Sequence, residues 1–131
     1  MTTDYEARAR ALAGVRFGPH GRSRDRIDWL GLMLQTYAIP EDAVRRDYRL
    51  RGDHLSEVER GLSAAFRKIS RRDLRPGDAL LLQVQLDQLH FAVFTHRGFV
   101  HADARIGRVV ETPGWPRWPL IGMYRKRVRA R

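Results

Sequence analysis

The chain has no cysteine among its 131 residues. Disulfides, thiolate zinc sites and cysteine nucleophiles are therefore excluded outright. It also lacks any apolar run approaching the roughly 20 residues that span a bilayer. Its opening, MTTDYEARARALAG, has none of the basic-then-apolar profile of a secretory signal. These absences point to a cytoplasmic protein with no membrane partner. No internal repeat and no low-complexity segment is present. A chain of this length, 43% apolar, has the size of one domain with its own core.

Acidic residues are in short supply, with 15 Asp and Glu against 25 Lys and Arg, for a net charge of +10. Such a balance suits a polyanionic partner: nucleic acid, a cell-wall polymer or an acidic protein surface. The arginines are scattered (Arg8, Arg10, Arg22, Arg24, Arg45, Arg46, Arg71, Arg72), and only the tail RKRVRAR is a dense run. Solvated arginines on every face account for that pattern more simply than a nucleic-acid site does.

Periodicity divides the chain into helices first and strands after. Tyr5 to Ala13 is alanine-rich and ends at Gly14, a helix with its stop signal. FGPHGRSR, Phe17 to Arg24, is a loop by its glycines and proline. From Ile27 to Tyr37 apolar residues surround the axis, which predicts a buried helix. Leu55, Val58, Leu62, Ala65, Phe66 and Ile69 recur at helical spacing, with Ser56 and Glu59 spaced as a capping box. Beyond them ALLLQV (79–84), HFAVFTH (90–96), GFVHA (98–102), GRVVE (107–111) and LIGMYRK (120–126) read as five short strands with tight connections. The expectation is an α+β domain, with the buried helix packed on an antiparallel sheet.

Two histidines fall in strand signals, His90 and His101, eleven residues apart across a predicted hairpin. Pairing of those strands brings both onto one face. A single strand histidine is more often packed than catalytic, so their joint context is what singles them out.

In that context the chain resembles the NlpC/P60 cysteine peptidases, which cleave peptide stems in bacterial cell walls. AGVRFGPHGR after an alanine-rich helix is similar to the family's opening. RIDWLGL resembles its Asp-Cys-x-Gly-Leu motif through Asp28, Gly31 and Leu32, and LRPGDALLL resembles its Pro-Gly-Asp turn into the first strand. HFAVF resembles the catalytic-histidine strand, FVHADA the strand of the third polar residue, and RVVETPG with LIGMYR the closing segments. The resemblance runs from Tyr5 to about Arg125 and is nearest to the phage-tail and gene-transfer-agent type. It implies a papain-like α+β fold, N-terminal helices on a five- to six-stranded antiparallel sheet, in one domain over residues 5–126 with a basic tail at 127–131.

Residue by residue, the resemblance makes His90 the general base and His101 the orienting residue. Trp29 stands where the nucleophile should be. In the family a thiolate at that helix N-terminus attacks the peptide carbonyl. An indole offers only an N–H donor, and no cysteine exists elsewhere to replace it. Phe17 stands where the family often has a tyrosine, without its hydroxyl. With Asp28, these residues (Phe17, Trp29, His90, His101) make the expected cleft, with the indole over His90 or across the cleft and no catalytic set intact.

The leading reading is an inactive NlpC/P60-like pseudopeptidase with a structural or binding role, its partners peptidoglycan stem peptides or phage-tail-like proteins. It would be made in the cytoplasm and carried in a phage-like particle. Two alternatives stand beside it: an active wall hydrolase with an unrecognised nucleophile, and a basic nucleic-acid-binding accessory protein resting on the net charge and tail. No cofactor is expected. Asp28, His90, His101 and Asp103 lack a metal-ligand spacing, so no metal is expected either. Ser23 lies five residues before Asp28 and is discounted as a nucleophile, and Arg51-Gly52-Asp53 reads as a turn.

Overall fold

The structure, a computed structural model, describes residues 4–18, 21, 26–39, 63–85 and 88–128. Ser23, the Arg51-Gly52-Asp53 turn and the Ser56/Glu59 capping box lie outside them. Helix α1 spans Tyr5–Ala11, with Asp4 as N-cap accepting from the Ala7 N–H. It ends at Ala11, two residues before the expected Ala13, and the chain turns away at Gly14, whose φ of 95° favours glycine and whose N–H donates to the Val109 carbonyl at 2.8 Å. The strands are β1 Arg16–Phe17, β2 Arg26–Ile27, β3 Phe66–Lys68, β4 Ala79–Gln85, β5 Gln88–Phe94, β6 Gly98–Asp103, β7 Arg108–Pro113 and β8 Leu120–Lys126. Helix α2, Trp29–Tyr37, follows β2.

All five strands read from the sequence are present, yet the sheet is larger than the expected five- to six-stranded antiparallel one. Eight strands run in the order β2-β1-β7-β6-β5-β4-β8-β3, and the sheet is mixed because β1 and β2 pair in parallel. The additional strands are two or three residues long and sit at the two ends of that order. Part of the predicted loop, Phe17, belongs to β1. The predicted helix through Ile69 ends early: residues 63–65 are helical, and Phe66–Lys68 pair with Tyr124–Lys126 of β8. Phe66 is buried while Arg67 and Lys68 are exposed, so tertiary pairing outweighs the helical spacing there.

Two apolar clusters form on the sheet. The first joins Leu32, Met33 and Tyr37 of α2 to Leu81, Phe91, Val93, Val100 and Ala102, with Phe17 and Trp29 packed against it. The second holds Leu80, Leu82, Ala92 and Phe99, with Trp118, Leu120 and Met123 packed against it. Neighbouring residues of a strand point to opposite faces, so Phe91 and Ala92 assign the clusters to the two sides of β5. Strand β5 is apolar on both faces.

The Pro76-Gly77-Asp78 turn fastens these parts. Tyr37 Oη donates to the Gly77 carbonyl at 2.8 Å, tying the end of α2 to the turn. Asp78, 3% exposed, accepts from the Arg75 N–H and from both Nε and Nη2 of Arg125, at 2.8, 2.9 and 2.8 Å. Arg125 Nη2 also donates to the Asp73 carbonyl at 2.5 Å.

Candidate functional site

Asp28 is the N-cap of α2: its Oδ1 accepts from the Gly31 N–H at 2.7 Å. This shows the local physics of Asp-x-x-Gly, in which a short acceptor satisfies one of the orphan donors of the first turn. Replacing Asp28 by alanine is expected to cost about 1 kcal/mol, with Asp28→Asn retaining most of it. Thermal unfolding of both variants measures the difference, and equal losses would argue against a capping role.

Trp29, the first residue of α2, is partly buried and packs on the Phe91 ring, with centroids 5.6 Å apart. The indole therefore lies against Phe91 and not over His90, the first of the two placements expected from the sequence. Phe17 packs against the same cluster, so Phe17, Asp28 and Trp29 belong to the α2 side of the sheet.

His90 and His101 lie on the other side. The expected pairing places Ala92 opposite His101 and Leu82 opposite His90, and directly paired residues share a face. The two imidazoles meet edge to face with centroids 5.7 Å apart. Trp118 covers the pair, 6.3 Å from His90 and 5.7 Å from His101, and Phe99 stacks 4.8 Å from His101. Trp118 escaped sequence reasoning because it sits in the aperiodic stretch WPRWPL. Its two prolines mark a loop but do not say which side chain turns inward.

His101 is 2% exposed, and its Nε2 lies 3.0 Å from the Thr112 hydroxyl. His101 Nδ1 and His90 Nε2 are buried without a hydrogen-bond partner among the described residues. His90 is half-buried as a residue, but that ring nitrogen is sealed from solvent. Burial, and then the neighbouring His101, lower its pKa to about 4 against the opposing pull of Asp103. Burial likewise lowers His101, again opposed by Asp103. Both rings are therefore neutral at neutral pH, with lone pairs able to accept a proton. What the pair lacks is a thiol to act upon. Among the described residues no three His, Asp or Glu side chains are placed to hold a metal ion, and no helix is long and apolar enough to cross a membrane.

No protein-family profile matches the chain, and no curated protein does. Solved structures do. NlpC1 from Trichomonas vaginalis aligns with a TM-score of 0.66 at 18% identity, over 93% of this chain and 44% of that one. NlpC2 from the same organism aligns at 0.66 and 19%, over 94% and 46%. The fold is NlpC/P60-like. This chain spans less than half the length of either neighbour. Within the NlpC/P60-like fold, the residues singled out by sequence separate into two groups across the sheet: Phe17, Asp28 and Trp29 beside α2, His90 and His101 beneath Trp118.

Proposed function

We propose that the protein is a catalytically silent NlpC/P60-like domain, of the phage-tail and gene-transfer-agent type, which works by binding. Its candidate ligands are peptidoglycan stem peptides or the proteins of a phage-like particle that would carry it from the cytoplasm. One observation carries the reading. The residue at the nucleophile position is Trp29, in a chain without cysteine, and its indole rests on Phe91 rather than beside the histidine pair. The neutral imidazoles thus have a base's chemistry with no sulfur to deprotonate.

A second reading keeps hydrolysis with another nucleophile, and the observation that favours it is the Thr112 hydroxyl 3.0 Å from His101 Nε2. Against it, His101 is 2% exposed and packs against Phe99 and Trp118. Incubation with purified sacculi separates the two. A binding domain sediments with the wall and releases no soluble stem fragments. Release that disappears in both His90→Ala and Thr112→Val would instead establish the hydrolase.

A further inference from the structure

Away from the histidine pair, arginine-bearing segments meet near the end of β5 beside an exposed tryptophan, Trp115. Gly77 N–H donates to the Phe94 carbonyl and Phe94 N–H to the Asp78 carbonyl, at 2.7 and 2.8 Å. These bonds hold the segment after β3, with its 3-10 helix Arg71–Asp73, against the end of β5. Gly114 N–H donates to the Arg97 carbonyl at 2.9 Å, bringing the Trp115 segment to the β5–β6 turn. The Arg71 guanidinium lies over the Trp115 ring, 4.2 Å from its centroid, and Phe94 supports that ring from the side at 6.1 Å. Trp115 is 37% exposed, and Arg71, Arg72, Arg75, Arg97 and Arg117 on these segments are all exposed.

The nearby acids do not cancel this charge. Glu6 is engaged by the backbone N–H and ring of His96, at 2.7 and 2.6 Å. Asp78 is taken by Arg125, and Asp73 accepts from the Ser70 hydroxyl at 3.1 Å. On these segments, among the described residues, the five arginines are exposed and the exposed acid is Asp73. The basic tail is partly committed elsewhere. Arg125 holds Asp78, and Arg127 Nε donates to the Ser63 and Phe66 carbonyls, both at 3.1 Å.

We propose that this arginine-rich end, centred on the Arg71–Trp115 stack, is a binding surface for single-stranded nucleic acid. The arginines supply cations for successive phosphates, which alone would suit any polyanion. The stacked guanidinium and indole add a flat platform of the kind on which planar bases stack. A polyphosphate or an acidic polypeptide would engage the charge and leave the ring idle.

Fluorescence anisotropy with a labelled oligothymidylate tests it on the full chain. Binding is expected to weaken with salt with a log–log slope of about −3.5, as five phosphate contacts on a single strand give. Trp115→Ala should weaken it about tenfold and Trp115→Phe much less, both with the melting temperature checked against the parent. Arg71→Ala should also weaken it and reduce the slope by about 0.7. Arg129→Ala with Arg131→Ala, in the tail, should change it less than about twofold. No binding at low salt would overturn the proposal. So would binding that Trp115→Ala leaves unchanged, or that polyphosphate competes as well as an oligonucleotide, since the surface would then read charge alone.

Discussion

Replacing Arg125 by alanine is expected to lower the melting temperature by on the order of 10 °C or more. The buried carboxylate of Asp78 accepts two bonds from the partly buried Arg125 guanidinium, and stripping the partner from a buried charge costs up to about 3–5 kcal/mol, because that charge stays behind uncompensated. The loss is also topological. Asp78 closes the turn into β4 through the Arg75 N–H, and Arg125 lies on β8, which pairs with both β4 and β3. Arg125→Lys keeps the charge but not the planar fork, so it should fall between wild type and alanine. A shift of only a degree or two in Arg125→Ala would mean that the Asp78 carboxylate finds water instead.

The second large effect is acid destabilisation through the histidine pair. In the unfolded chain an imidazole takes up its proton near pH 6.5, whereas folded His90 holds out to about pH 4. Between those values the unfolded state binds more protons, so stability falls with falling pH. The His90 contribution is complete above about pH 6.5 and is lost as pH approaches 4, about 3 kcal/mol in all. His101 shifts in the same direction and adds to the slope. His90→Leu, which removes the unpaired buried Nε2 of His90, should flatten the profile of melting temperature against pH. An unchanged slope in that variant would show that the ring is hydrated and titrates normally.

Much of the fold is legible in the sequence where the pattern is long enough to carry a period. The helix through Tyr37, all round apolar, and the five strands from Ala79 onward are of that kind. Strands β1 and β2 have two residues each, too few for any alternation, and they pair in parallel across the eight residues between them, with no hairpin turn to signal it. Phe66 to Lys68 continues a helical spacing and becomes a strand because β8 offers it a partner.

The candidate site was legible in part for a related reason. That His90 and His101 share a face follows from pairing two strands, and the register bears it out. Which face they share could not be read. In LHFAVF both Phe91 and Ala92 are apolar, so neither side of β5 announces itself as the one that meets α2. The placement of Trp29 on Phe91, and of Trp118 over the histidines, depends on that choice.

On the proposed binding reading, catalysis would be lost through placement as well as through the missing sulfur: Trp29 lies on the α2 side of the sheet, and His90 on the other. The measurement that reaches this claim most directly is mass spectrometry of peptidoglycan digests made with wild type and with Trp29→Cys. Neither protein is expected to release new stem-peptide fragments. Fragments released by Trp29→Cys and abolished by adding His90→Ala would contradict it, because they would place that sulfur within reach of His90.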